Sequence, residues 1–124
     1  MKTLILVTCL LAISFAADPQ KLKKLYNDYT NCLEELNEQQ WTPEVVKCYF
    51  QKDGLLDEQG VLTKETLFTI LDKIISDEND LNEAKELGST CLDQAYQGPG
   101  NNDEKLMAYI HCAMHITDLL DKLQ

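Results

Sequence analysis

The sequence lacks arginine altogether and has little basic charge. Its 124 residues include 11 lysines against 21 aspartates and glutamates, and the formal net charge is −10 at pH 7. Arginine is the usual clamp for phosphates and carboxylates, because its planar guanidinium donates two parallel hydrogen bonds to them. A strongly acidic chain is also repelled by nucleic acid and by anionic lipid surfaces. We therefore expect no nucleic acid as a partner.

Long apolar runs are also scarce, and the main one lies at the start of the chain. Lys2 is followed by an apolar run from Leu4 to Ile13, and small residues precede Ala17. This pattern is typical of a secretory signal peptide that is cut after Ala16. The run is shorter than the roughly 20 residues that a membrane-spanning helix needs. We predict a signal peptide over 1–16 and one secreted, extracellular domain over 17–124, without membrane insertion.

Four cysteines remain after removal of this segment, namely Cys32, Cys48, Cys91 and Cys112. An even number in an oxidising compartment predicts disulfide bonds, and three pairings are formally possible. No pair has the two-to-four-residue spacing of a zinc knuckle, so disulfides are favoured over a metal site. A single small domain has a marginal core, and such cross-links would help to stabilise it.

Apolar residues recur at steps of three and four through the mature chain, which is typical of amphipathic helices. The first helix is predicted from about Pro19 to Leu36. Thr42, followed by proline at the first helical position, caps a short second helix, and Thr63 caps a third. No convincing strand pattern appears, so the predicted fold class is all-α.

Two further helices are predicted in the second half of the chain. Asp80 and Glu83 resemble a capping box that opens the fourth helix, which ends near Tyr96. Glycine and proline at 97–101 predict a loop. Asn102 is the predicted cap of a last helix that continues towards the end of the chain.

Residues 48–60 resemble the stretch after the third cysteine of insect odorant-binding proteins. Their sequence is Cys-Tyr-Phe-Gln-Lys-Asp-Gly-Leu-Leu-Asp-Glu-Gln-Gly. Cys91 and Cys112 fall where the fourth and sixth cysteines of that family lie. Glu44 and Asp103 stand at the positions of the second and fifth. The chain is thus similar to the four-cysteine branch of the family.

A second likeness lies in the last helix and the loop before it. This part of the chain is similar to the fire-ant venom allergen relatives of that family at Gln97, Gly98, Pro99, Asn102, Lys105, Cys112 and Ala113. Only fifteen residues separate Cys32 from Cys48, fewer than the family's usual interval. The family's second helix is therefore expected to be shortened or lost.

The resemblance implies a disulfide pairing, a fold and a function. It implies bonds from Cys32 to Cys48 and from Cys91 to Cys112, within a compact bundle of about five to six helices around an apolar cavity. The implied function is an extracellular carrier that binds and transports a small hydrophobic ligand, such as an odorant, a pheromone or a lipid-like molecule. No cofactor is implied.

Apolar residues on the predicted helices could line that cavity. Our candidate ligand-binding residues are Tyr29, Leu67, Ile70, Leu71, Ile74, Met107, Ile110 and Met114. Each could equally fill the core, although the thioethers of the two methionines adapt to varied ligands. The sequence therefore predicts an apolar site without fixing which of these residues face a ligand.

His111 and His115 stand four residues apart, a spacing that suits a zinc pair on one helical face. The metalloprotease pattern fails, because Cys112 takes the place of its glutamate. A pH switch that loosens the last helix is a second interpretation, and ordinary structural histidines are the favoured one. Since Ser76 and Ser89 lie in no catalytic motif, we predict neither a metal site nor enzyme activity.

A different class of function is the alternative to the carrier. In this alternative the chain is a secreted venom or body-fluid protein that acts through its surface, has a filled core and can form a homodimer. The short interval between Cys32 and Cys48 favours this alternative, because fewer helices enclose less space.

Overall fold

The computed structural model describes residues 18–121, so the predicted signal peptide over 1–16 lies outside the described residues. Within 18–121 the chain forms five α-helices and a 3₁₀ helix, and it forms no strand. The all-α prediction is confirmed. The helices are α1 (Pro19–Leu36), α2 (Pro43–Lys52), α3 (Lys64–Ile74), α4 (Glu78–Gln97) and α5 (Asn102–Ala113), followed by the 3₁₀ helix Met114–Leu119.

Side-chain caps determine where the first three helices begin. The Asp18 carboxylate accepts hydrogen bonds from the backbone N–H groups of Gln20 and Lys21. Thr42 and Thr63 each accept from the N–H three residues later. These caps satisfy N–H groups that have no partner within the helix. The predicted starts of α2 and α3 are confirmed.

The predicted caps of α4 and α5 were wrong by a few residues. Asp77 is the cap of α4, because its backbone is extended and its carboxylate accepts from the N–H of Asp80 at 2.9 Å. Asp80 therefore lies in the first turn. Asn101 caps α5 in a reciprocal capping box with Glu104, which places Asn102 at the first helical position.

The last helix does not continue towards the end of the chain as an α-helix. It ends at Ala113, and the chain then winds as a 3₁₀ helix. The Thr117 hydroxyl donates to the carbonyl oxygen of Met114 at 2.8 Å, and such local bonds compete with the α-helical pattern. The predicted α-helical continuation was wrong beyond Ala113, although Ile116 and Leu120 are buried as the apolar stripe indicated.

Two disulfides join the helices in pairs. Cys32 on α1 is bonded to Cys48 on α2, and Cys91 on α4 is bonded to Cys112 on α5, with Cα–Cα distances of 5.9 and 5.7 Å. Both bonds are those that the family resemblance implies. The 16- and 21-residue separations close short loops, each worth roughly 3 kcal/mol in the chain-entropy model.

The remaining contacts close the bundle around α3. This helix packs against α1 and α4, and α2 packs against α5. Asp103 on α5 forms an ion pair of 2.5 Å with Lys47, one helical turn after Glu44. An ion pair thus joins α2 to α5.

The core lies along the inner face of α3. Leu67, Ile70, Leu71 and Ile74 are all buried there. Gly88 lets α4 come close, since a Cβ at this position would lie 2.8 Å from Leu67 Cδ2. Among the described residues Leu36 is the only large hydrophobic that is exposed, at 40%. Over residues 18–121 the other large apolar side chains are therefore buried or partly buried.

Candidate functional site

An apolar cavity lies between α3, the end of α5 and the 3₁₀ helix, with α2 on its far side. Its volume is about 60 Å³, and none of its lining residues carries a charge. It is lined by Leu25, Trp41, Val46, Tyr49, Phe50, Leu67, Ile70, Leu71, Ile74, Tyr109, Ile110, Ala113, Met114, Ile116, Thr117 and Leu120. Since the Thr117 hydroxyl is bonded to a backbone carbonyl, the walls favour an apolar occupant.

The volume decides what this cavity can hold as it stands. Ligand pockets in proteins usually measure about 300–1,000 Å³, and an apolar cavity of about 150 Å³ is known to admit benzene. The cavity of about 60 Å³ is smaller than either. The helices therefore enclose a nearly filled core in the conformation described.

Six of the eight predicted ligand-binding residues lie together around this cavity. They are Leu67, Ile70, Leu71, Ile74, Ile110 and Met114. Tyr29 does not line it, because the Trp41 ring stacks against Tyr29 and stands at the cavity wall. Met107 does not line it either and packs half-buried against the core from outside.

The sequence analysis missed Trp41, which lies in the connection between α1 and α2. The Trp41 ring stacks on Tyr29 with centroids 4.3 Å apart and meets Tyr49 edge-on at 6.2 Å. Tyr26 and Phe50 extend this aromatic cluster at its two ends. Helical periodicity could not find Trp41, because the residue lies outside any helix. The only signal was that it is the single tryptophan of the chain.

An ion cluster around the carboxylate of Asp53 borders the aromatic rings. The side chain of Asp53 is only 2% exposed, although it carries a charge. Lys21 Nζ lies 2.6 Å from one carboxylate oxygen, Lys24 Nζ lies 2.9 Å from the other, and the Tyr49 hydroxyl donates to Asp53 at 3.1 Å. The cluster joins the first turns of α1 to the end of α2.

The surroundings of Asp53 change two pKa values. Burial alone would raise the pKa of the Asp53 carboxyl, but hydrogen bonds from Lys21 and Lys24 outweigh it and hold the pKa below its ordinary value. Burial, and then the charge of Asp53, raise the pKa of Tyr49 well above its ordinary value. Asp53 is therefore ionised and Tyr49 neutral at pH 7, which suits an ion cluster that holds helices together.

The two histidines lie on the surface beyond the cavity. His115 Nε2 is 3.2 Å from a Glu83 carboxylate oxygen, and its Nδ1 is 3.5 Å from Asp118. His111 is exposed. In the part of the chain that the structure describes, no three histidine, cysteine, aspartate or glutamate side chains are grouped to hold a metal ion. The two carboxylates face opposite nitrogens of one imidazole, which is an arrangement for ion pairing.

None of the helices described over residues 18–121 is both long and apolar enough to cross a membrane.

Fold and cavity together define a small, acidic, disulfide-linked helical protein with little free space in its core. The sequence matches the ant venom allergen Sol i 2 family over residues 31–117, and the chain belongs to that family. It is also 29% identical over 124 residues to Venom allergen 4 of Solenopsis geminata, a match that covers 92% of this chain and 90% of that protein. The predicted likeness to fire-ant venom allergens is thus confirmed. The likeness to odorant-binding proteins stays a prediction.

Proposed function

We propose that the protein is a secreted venom component that acts outside the cell through its surface, with its core kept filled. Membership of a venom allergen family supports the venom setting. The observation on which the surface mechanism rests is the cavity volume of about 60 Å³, which leaves no room for a ring-sized cargo without rearrangement.

The surface of the bundle is polar and acidic. Leu36 is its only exposed large hydrophobic side chain over residues 18–121, and the whole chain has a net charge of −10. Contacts with a partner would therefore be mainly polar and charged, and basic partners would be favoured. We propose no covalent chemistry, no cofactor and no nucleic acid partner for this surface. Light scattering of the mature protein tests whether it forms the homodimer included in the sequence-based alternative.

Titration of the mature protein with an apolar fluorescent probe tests this function. Residues 17–124 are secreted from an oxidising host, so that both disulfides form, and are titrated with N-phenyl-1-naphthylamine. We expect no saturable rise in probe emission, because the core has no space for two fused rings. A saturable rise at one probe per chain would contradict the filled core.

A hydrophobic carrier is the second candidate function. It is favoured by the composition of the cavity wall, because six of the eight residues predicted to bind ligand line one uncharged space. The carrier requires this space to enlarge when ligand enters. In the same titration, a saturable response would favour the carrier.

A further inference from the structure

The Trp41 ring occupies an unusual place for a residue outside the helices. The residue is half-buried, stacks on Tyr29, contacts Tyr49 and forms part of the cavity wall. A ring from the connection between α1 and α2 thus reaches the space that lies between the helices. Movement of that ring would change the volume of the space directly.

Few directional contacts hold Trp41 in place. Within residues 18–121, no hydrogen bond of the Trp41 side chain is found. In the same part of the chain, residues 39–41 take part in no backbone hydrogen bond. The contacts of the ring are therefore its aromatic neighbours and the cavity wall, which a bound ring could replace. Thr42, the next residue, is fixed as the cap of α2 and could serve as the hinge.

We propose that Trp41 is an internal plug, whose indole ring takes the place that a ring-bearing apolar ligand would otherwise occupy. The inference rests on the second candidate function, since a plug has a purpose only if the space can hold a ligand. With the indole in place, about 60 Å³ is free. With the indole displaced, the buried part of its volume joins that space, which brings the space closer to the roughly 150 Å³ that admits benzene.

The walls define the class of ligand. None of the lining residues carries a charge, so a charged ligand would lose its hydration without compensation. Tyr29 offers a face for stacking and Tyr49 offers an edge-on contact, in the positions that the indole uses. The ligand is therefore a neutral molecule with one aromatic or alicyclic ring. A long extended chain fits this outline less well.

The proposal is tested by removing the Trp41 ring and measuring whether free indole binds in its place. Indole is titrated by calorimetry into the wild type and into Trp41→Ala, with Phe68→Ala as the matched control. Phe68 is another half-buried aromatic residue, but it does not line the cavity. We expect Trp41→Ala to bind indole with a Kd at least about tenfold lower than the wild type, because the competing plug is gone. Phe68→Ala should match the wild type.

The plug would be overturned if Trp41→Ala bound indole no more tightly than the wild type. It would also be overturned if Phe68→Ala gained indole affinity to the same extent as Trp41→Ala. Near-ultraviolet circular dichroism checks that Trp41→Ala is folded, and Trp41→Leu, which keeps an apolar filler, replaces it if it is not. The wild type is also titrated with cyclohexanol, which does not fluoresce. A saturable red shift of Trp41 emission supports both plug and carrier. Gain in the variant without any shift in the wild type shows that the indole fills ring-sized space, but it overturns displacement of Trp41 by a ligand and rejects the carrier.

Discussion

The two disulfide-linked helix pairs have nearly the same covalent geometry and different noncovalent contacts. Between α1 and α2 lie the Asp53 ion cluster, an ion pair from Lys52 to Glu35 and the aromatic cluster. Between α4 and α5 the buried side chains are small or aliphatic apart from Tyr109, and no ion pair joins these two helices among the described residues.

This difference indicates which half of the molecule can respond to its surroundings. The stability of a close-packed apolar interface without ion pairs does not depend on pH, and close packing leaves little room for rearrangement. The α1–α2 pair depends on charge, and Trp41, the residue that restricts the cavity, lies in its connection. We therefore expect pH to act on the α1–α2 pair and to leave the contacts between α4 and α5 unchanged.

The largest expected effect is the loss of either disulfide. In Cys32→Ala/Cys48→Ala and in Cys91→Ala/Cys112→Ala, the free energy of unfolding should fall by roughly 3 kcal/mol each, because both bonds close short loops. Denaturant unfolding at pH 7 measures both. A loss that is several-fold larger in one pair would contradict the view that the cross-links are equivalent.

The next effect concerns the charge that distinguishes the α1–α2 pair from the α4–α5 pair. Asp53→Asn should lower the free energy of unfolding by about 2 kcal/mol at pH 7, because two ammonium groups lose a buried anionic partner. Since the pKa of Asp53 is lowered in the folded state, its contribution is present above the unfolded pKa of about 3.9 and is lost as the pH falls through the folded value.

The difference between wild type and Asp53→Asn should therefore shrink when unfolding is measured at pH 3 and below. Asp93→Asn is the matched control, because Asp93 pairs with Lys64 at an exposed site, where an ion pair contributes about 1 kcal/mol or less. A difference for Asp53→Asn that persists unchanged into acid would show that the charge is not the source of the stability.

A smaller effect concerns the close approach of α4 to α3. Gly88→Ala brings a methyl group to 2.8 Å from Leu67 Cδ2, but Leu67 borders the cavity and can move into it. The helix propensity of alanine adds about 1 kcal/mol, so we expect a free energy of unfolding within about 1 kcal/mol of the wild type. Gly88→Val, which is bulkier, should lose about 2 kcal/mol. Equal loss in both variants would show that the cavity cannot accommodate Leu67.

The smallest effect is expected at His115. Its side chain and its Glu83 partner are each 56% exposed, and such surface pairs contribute little. At any pH between 5 and 7, the free energy of unfolding of His115→Gln should differ from that of the wild type by less than about 0.5 kcal/mol. A larger pH-dependent change would support the pH switch that the histidine spacing suggests.

Local sequence signals predicted most of the fold, because they act over one or two helical turns. Thr42 and Thr63 define the starts of α2 and α3 through their own side chains. The choice between Asp77 and Asp80 could not be made locally, since both can cap a helix. The end of α5 depends on how the last segment packs against the other helices. The periodicity of apolar residues along the sequence carries no information about that packing.

The candidate site was less predictable, because a cavity is what side chains from distant segments leave unfilled. The stripe of α3 identified four wall residues, since α3 buries its apolar face against the other helices. Trp41 could not be assigned to the wall from sequence, because a connection has no periodic face. The stacking partner Tyr29 was expected to face ligand and instead contacts Trp41.

Native mass spectrometry of the mature, disulfide-bonded chain measures directly whether the core is filled in the native protein. After secretion and exposure to a mixture of neutral ring-bearing volatiles, we expect the mass of the polypeptide with two disulfides and no adduct. A stoichiometric adduct of small-molecule mass on the wild type would contradict the filled core and establish a carrier.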